Sequence, residues 1–358
     1  MLVTKTAQQN ILMIKCIVAM TLFIVTARPL FGQSTSPLPP PPHQLPPVHD
    51  SGWTKLSDPG VIVHGVDSPL NLTPSTEFPF HFSQETTDWG QELLEASTIS
   101  RFRNGFYQKT SLRGGWIGKD DTGFGGSYAR TNLTVAVGVP QSVVLISPTF
   151  EIDMFSGPAG LDVPNTVYAT YLDIAWRHKF NSQWSSILGV RPGVFSDFES
   201  SFGSGYRTAL LAALMWEVFT ETLTLVGGAV YLDRNDFDIL PAVGIIWVPA
   251  SDLRFDLVFP KPKISKRIQH RPFVSEDWIY AAFAIGGNTY EVQRSPSIAD
   301  ELTLRDFRLA LGIERIRDGG TGWFIEAGWV TGRRLSYEAA PAVLNFNDTF
   351  MVEMGLSF

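Results

Sequence analysis

The sequence predicts an all-β protein: an antiparallel up-and-down β-barrel of about fourteen strands that crosses a membrane, with twelve strands as the alternative count. Runs of alternating apolar and polar residues recur about every 15 to 20 residues from Gly105 onward, separated by turn clusters. The last residues of the chain form the clearest of these runs. Charged residues make up only 18% of the chain, against roughly 25% in typical soluble domains, which indicates that one face of many strands avoids water.

The C-terminal run places Phe350, Val352, Met354, Leu356 and Phe358 on one face, with mostly polar or small residues between them. Side chains of a strand point alternately to opposite faces, so this run predicts a strand with one apolar and one wet face. The aromatic ending resembles the C-terminal strand of bacterial outer-membrane barrels, whose terminal Phe is read by the barrel-assembly machinery. The resemblance implies that Phe358 is an assembly signal.

The candidate strands are separated alternately by short turns and by longer Gly-, Asp- or Ser-rich connections. This alternation is typical of a bacterial outer-membrane barrel, and an even strand number puts both chain ends in the periplasm. The candidate strands are 105–117, 129–139, 142–155, 165–179, 184–195, 205–219, 222–232, 238–248, 252–259, 263–269, 277–290, 302–315, 321–331 and 348–358. The longer connections are 118–128, 156–164, 196–204, 291–301 and 332–347.

The N-terminal residues 1–32 are typical of a secretory signal peptide. Lys5 and Lys15 precede an apolar core, residues 16–27, that is too short for a transmembrane helix, which needs about twenty residues. We expect a cleaved signal peptide that directs export, with an uncleaved anchor as the alternative. Cys16 is the only cysteine, so the mature chain would have neither a disulfide nor a cysteine-based metal site.

Three further regions follow the signal peptide. Residues 33–50 are rich in proline and predict an extended linker, either a spacer or a docking segment for a cell-wall or periplasmic partner. Residues 51–104 contain turn residues but few periodic runs, which predicts a mostly disordered periplasmic lead-in or, alternatively, a small plug. Residues 105–358 form the predicted barrel.

Charged residues fall on the strand faces opposite the apolar ones and are therefore candidate lumen residues. They allow two interpretations: a charged channel wall that selects solutes, or a network of paired charges that fills a closed barrel. The candidate lumen residues are Arg113, Asp173, Arg177, Arg207, Glu217, Arg254, Asp256, Arg308, Glu314, Glu326 and Glu353.

Tryptophans lie close to the ends of the candidate strands. Trp favours the membrane–water interface because it combines an apolar ring with a polar N–H group. The predicted interfacial girdle comprises Trp116, Trp176, Trp184, Trp216, Trp247, Trp278, Trp323 and Trp329. If the first strand runs outward, Trp116 and Trp329 lie at the outer interface and the other six at the periplasmic one.

Two segments carry a family resemblance. Residues 247–264, WVPASDLRFDLVFPKPKI, resemble a segment of an uncharacterised family of bacterial outer-membrane-type β-barrel proteins. Residues 324–337, FIEAGWVTGRRLSY, are similar to the penultimate hairpin of that family. The resemblance covers about residues 100–358. It implies a barrel and no activity, because the family has no assigned chemistry.

Little in the sequence predicts chemistry. The glycine-rich Gly123–Gly126 lacks the strand-to-helix context of a nucleotide site, and no histidine pair has metal-ligand spacing. We therefore expect no catalytic, cofactor or metal residues, and the net charge of −7 argues against a nucleic-acid partner. The predicted partners are outer-membrane lipids and the barrel-assembly machinery; the oligomeric state stays open.

The sequence thus favours an outer-membrane barrel that acts as a passive solute channel or as a structural envelope protein. The alternative is a secreted or surface all-β binding module without a pore, which would hold a ligand with the long connections 196–204 and 332–347. An outer-membrane enzyme has the least support.

Overall fold

The structure, a computed structural model, describes most of the predicted barrel region. The described residues are 99, 103, 105–139, 141–157, 162–199, 205–294, 298–339 and 343–358. The predicted signal peptide, the proline-rich linker and nearly all of the predicted lead-in lie outside the described residues.

Within the described residues, seventeen β-strands form one sheet. Their bounds are β1 Tyr107–Ile117, β2 Gly125–Val139, β3 Ser142–Ser156, β4 Thr166–Lys179, β5 Trp184–Ser196, β6 Tyr206–Phe219, β7 Leu223–Tyr231, β8 Ile239–Pro241, β9 Gly244–Ala250, β10 Leu253–Val258, β11 Lys263–Arg271, β12 Ser275–Gly286, β13 Thr289–Arg294, β14 Ile298–Arg317, β15 Gly322–Tyr337, β16 Val343–Asn345 and β17 Thr349–Ser357.

The sheet closes on itself because β1 pairs antiparallel with β17, from Ser111 opposite Ser357 to Ile117 opposite Met351. Three pairs of consecutive segments each share a partner, and each pair therefore counts as one interrupted strand: β8 and β9 both pair with β7, β12 and β13 with β14, and β16 and β17 with β15. The wall is therefore an antiparallel barrel of fourteen strands, which confirms the predicted fold class and strand number.

Most of the short connections lie at one end of the barrel, here called the turn end, whereas the short β10–β11 turn, residues 259–262, lies toward the opposite end. Those at the turn end join β2 to β3, β4 to β5, β6 to β7, β9 to β10, β11 to β12 and β14 to β15. Glu221 and Phe273 adopt positive φ angles of 64° and 59° in two of these turns, a conformation that reverses the chain tightly. Both barrel termini, Tyr107 and Phe358, also lie at the turn end, where the Tyr107 hydroxyl donates to the Phe358 carbonyl oxygen at 2.7 Å. The opposite end is here called the mouth.

Burial alternates along the strands, as the two faces of a barrel wall require. In β4, Val167, Ala169, Tyr171, Asp173 and Ala175 are buried in the interior, and the residues between them face outward. The alternation follows from the two-residue period of a strand, so the sequence pattern that predicted the strands also assigns their faces.

Two predicted loops are wrong in part. Residues 291–301, predicted as a connection, belong largely to β13 and β14, which form a hairpin above the wall. Residues 332–347, also predicted as a connection, contain the last part of β15 and all of β16. The sequence pattern failed here because these extensions pack against parts of the mouth that are distant in sequence, and their alternation continues only briefly.

Candidate functional site: the barrel interior and its mouth

Charged side chains in the interior form close ion pairs across and along the strands. Arg130 lies 3.1 Å from Glu151, whose side chain is 1% exposed. Such buried pairs persist because each charge compensates the desolvation of the other. Further interior pairs are Arg191–Asp173, Arg254–Asp256 at 2.8 Å, Lys263–Glu314 at 3.0 Å and Arg308–Asp306 at 2.7 Å.

An apolar cluster also occupies the interior, on the side formed by β3 to β9. Val143, Ile187 and Met215 are at most 4% exposed and pack together near the turn end. Leu232 and Ala242 extend the cluster toward the mouth. Large apolar side chains exclude water from this part of the lumen, so the interior is not a uniformly wet channel.

A hairpin closes part of the mouth. β13 and the first part of β14, residues 289–294 and 298–303, leave the wall and cross toward the far side of the barrel, where Glu291 pairs in parallel with Ser196 of β5. Gly287 adopts a φ of 88° at the bend, and a Cβ there would lie 2.2 Å from the Leu304 carbonyl oxygen. Glycine is therefore required where the chain turns inward. We call residues 289–294 and 298–303 the lid.

Apolar packing holds the lid against the opposite wall. Val292 and Leu302 of the lid are 0% exposed and share a cluster with Val167 of β4 and Phe195 of β5. The ring of Tyr290 lies 6.1 Å from that of Phe195. Burial of this kind contributes about 1.5 to 3 kcal/mol for each large apolar side chain, so the lid is a packed part of the fold.

Polar contacts add to this packing. The Tyr290 hydroxyl donates to Asp153 Oδ2 at 2.8 Å, and the Gln293 N–H donates to Asp197 Oδ2 at 2.7 Å. On the other side, Arg207 lies 2.8 Å from Glu301. The lid is thus bonded to strands on several sides of the mouth.

The rim beside the lid is ordered by Asp120 in the β1–β2 connection. Its carboxylate accepts hydrogen bonds from the N–H groups of Thr122, Phe124 and Asn347 and lies 3.4 Å from Arg333. Burial alone would raise the pKa of Asp120, but the hydrogen bonds from Thr122, Phe124 and Asn347 and the charge of Arg333 together hold the pKa below its ordinary value of 3.8. Asp120 therefore ties the β1–β2 connection to β15 and to the segment before β17.

A cavity of about 120 Å³ lies inside the barrel below the mouth. Its lining combines ion-paired residues such as Arg308 with aromatic residues such as Phe155 and Phe346. Two tyrosine hydroxyls of this lining donate to carboxylates, Tyr128 to Glu353 and Tyr290 to Asp153. The hydroxyl of Tyr280, outside the lining, donates to the lining residue Glu326 at 3.1 Å. Glu326 and Glu353 lie directly opposite each other on β15 and β17.

The candidate lumen residues occupy interior or partly exposed positions. Arg113, Asp173, Arg207, Arg254, Asp256, Glu314 and Glu326 are buried, whereas Arg177, Glu217, Arg308 and Glu353 are partly exposed. The sequence analysis missed Arg130, Glu151, Arg191 and Lys263, which lie at the same interior face. Glu151 lies on the same inward face of β3 as Val143 and Leu145. Because the nearby residues of this face are apolar, the sequence analysis did not assign Glu151 to the lumen.

Trp278 is a correction to the predicted girdle. It is 2% exposed in the interior, and its Nε1 donates to Glu276 Oε2 at 3.0 Å. Trp278 lies on the same inward face of β12 as Tyr280 and Ala282. The alternation along the strand therefore predicts the orientation of Trp278 better than its position near the strand end does. Among the other predicted girdle residues, Trp116, Trp176, Trp216, Trp247 and Trp329 are exposed, and Trp184 and Trp323 are partly exposed.

Neither a metal site nor a membrane helix is found among the described residues. No group of three or more His, Cys, Asp or Glu side chains there could hold a metal ion, and no helix there has the length and apolar character to cross a membrane. No protein-family model matches this chain, and a search of curated proteins also gives no match.

Proposed function

We propose that this chain is an integral β-barrel protein of the bacterial outer membrane. The observation that carries the proposal is a continuous exposed apolar surface. Leu112, Ile325, Trp329, Phe350 and Met354 are 43% to 56% exposed and lie on three adjacent strands, β1, β17 and β15. Soluble monomers rarely expose contiguous apolar patches of more than a few hundred Å², whereas a membrane barrel requires such a band.

Within the membrane, the barrel acts as a passive solute channel that is closed in the conformation described above. The lid crosses the mouth and the apolar cluster occupies the turn-end half, while paired charges and tyrosines line the cavity between them. Permeation then requires the lid to leave the wall of β5. The resemblance of residues 247–264 and 324–337 to an uncharacterised family of outer-membrane-type barrels supports the membrane location and adds no substrate.

A second candidate is a barrel without a pore, with a structural or binding role in the envelope. The apolar cluster around Ile187 and Met215 favours it, because these side chains fill part of the lumen. This candidate predicts that removal of the lid opens no axial path.

Conductance in planar lipid bilayers separates the two candidates. The full barrel is compared with a variant in which residues 288–303 are replaced by two glycines, so that β12 joins β14 directly. We expect rare small conductance steps for the wild type and frequent larger ones for the variant. Retained resistance to SDS at low temperature is the control that the variant is folded. A folded, lid-free barrel without discrete steps would exclude the channel.

A further inference from the structure

The barrel wall has a gap near the mouth, between β8 and the upper part of β12. β10 ends at Val258 and β11 begins at Lys263, so both strands stop well below the mouth. Within the described residues, β8 pairs with β7 alone, and residues 284–286 of β12 pair with β14 alone. Because strands are spaced about 4.8 Å apart, the loss of two strands removes about 10 Å of wall at this level.

The interior cavity extends to this gap. Seven consecutive residues, 282–288, line it, although alternate residues of an intact wall face opposite sides. The cavity therefore follows the free edge of β12 from the inner to the outer face. The exposure of the inward residues of β12 supports this gap. Ala282 is 4% exposed, whereas the next inward residues toward the mouth, Ala284 and Gly286, are only partly buried.

Two cations border the gap. Lys261 lies in the turn between β10 and β11 at its lower edge and lines the cavity. Arg305 lines the cavity from β14, with its guanidinium carbon 5.8 Å from the ring of Phe237 and 5.7 Å from that of Phe307. The Arg305 Nε is buried and has no hydrogen-bond partner within the described part of the chain. A ligand with an anionic group could supply that partner.

The outer surface around the gap is apolar. Ile239 is 65% exposed, Val243 47%, Leu257 37% and Ile264 42%. Phe283 stacks on Phe307 at 6.1 Å on the same outer side. Aliphatic chains of the surrounding membrane would contact these side chains, so the gap joins an apolar exterior to a cavity that carries positive charge at its entrance.

We propose that this gap is a lateral entry for an anionic amphiphile, a molecule with a long alkyl chain and a carboxylate. The carboxylate enters the cavity between Lys261 and Arg305, and the alkyl chain lies in the gap against Phe283 and Ile285. The cavity of about 120 Å³ is too small for a whole long-chain amphiphile, so most of the chain stays in the gap. The inference rests on the proposed membrane location and specifies the ligand class of the barrel.

Binding of radiolabelled palmitate to the purified full chain in dodecyl maltoside tests the inference. Lys261→Gln and Arg305→Gln should each weaken binding about tenfold, since each removes a charged partner of the carboxylate. Ala284→Trp should abolish binding by filling the cavity beside the gap. The matched control is Ala327→Trp on the outer face of β15, which pairs with Leu311 and Val352 away from the gap and should leave binding unchanged.

Three outcomes would overturn the inference: no palmitate binding by the wild type, unchanged binding by Ala284→Trp, or binding of hexadecanol as tight as that of palmitate. Each variant is accepted only if it resists SDS when unheated, which establishes a folded barrel. Loss of palmitate binding with retained outer-membrane fractionation would remove only the lateral entry. A chain absent from the outer-membrane fraction would instead remove the proposed function, whatever its palmitate binding.

Discussion

Replacement of Tyr290 by Phe tests how the lid is held. Tyr290 is 2% exposed, and its hydroxyl donates to Asp153 Oδ2 at 2.8 Å. Phe keeps the ring packed against Phe195 but loses this bond. Without this bond the buried Asp153 oxygen loses a partner, which costs about 1 to 3 kcal/mol. Each 1.4 kcal/mol is a factor of about ten in an equilibrium constant, so we expect the ratio of open to closed lid to rise about 5-fold to 100-fold.

The assay is single-channel recording of the refolded protein, with the open fraction measured over long traces. Tyr206→Phe is the control, because Tyr206 also lies near the mouth but is 59% exposed, and it should leave the open fraction unchanged. An equal open fraction for Tyr290→Phe and wild type would refute the account of the lid. A lower open fraction would mean that Tyr290 favours the open state.

Three further predictions concern assembly and stability. Deletion of Phe358, whose N–H and carbonyl pair with Thr110 across the barrel closure, should leave a degraded periplasmic intermediate on immunoblots. Arg130→Met should lower the free energy of unfolding in urea by about 3 to 5 kcal/mol, because it leaves a buried charge uncompensated; adding Glu151→Met should restore most of it. Asp120→Asn should destabilise the rim above pH 3.8, and the difference should vanish as pH falls below the lowered pKa of Asp120.

Distinct results would contradict each of these predictions. Normal accumulation of the truncated chain in the outer membrane would exclude an assembly role for the terminal residue. Equal stability of the single Arg130 variant and the double variant would mean that the Glu151 charge is compensated by other groups. For Asp120, a stability difference that persists unchanged at low pH would show that the carboxylate charge does not tie the rim.

The wall was predictable from the sequence because a β-barrel repeats one simple pattern. Each strand alternates on a two-residue period, and turn residues separate the strands, so faces and strand number follow locally. The lid was not predictable, because Val292 packs against residues of β4 and β5, and Glu301 accepts a hydrogen bond from Asn235 of the β7–β8 connection, neighbours that only the closed barrel brings near. The alternation predicted which charged residues lie on the inner face. It could not predict ion pairs such as Lys263–Glu314, because these depend on the register of β11 with β12 and of β12 with β14.

The apolar cluster in the interior was also not predicted, because its formation depends on closure of the barrel. Met215 and Ile187 were compatible with either face from their apolar character, and only closure of the barrel directs them inward. The gap also escaped the sequence analysis, since strand lengths read from alternation do not give the relative heights of neighbouring strands. It arises because β10 has six residues, whereas β14 has 20.

Membrane insertion is the central claim, and electrophoretic mobility of the membrane fraction tests it most directly. Closed barrels resist SDS when unheated because backbone hydrogen bonds join each strand to its neighbours around the whole barrel. The outer-membrane fraction, extracted in detergent and run on an SDS gel with and without boiling, should give two bands of different mobility. A protein that is recovered in a soluble fraction and whose mobility does not change on boiling would contradict the account and favour a secreted all-β binding module.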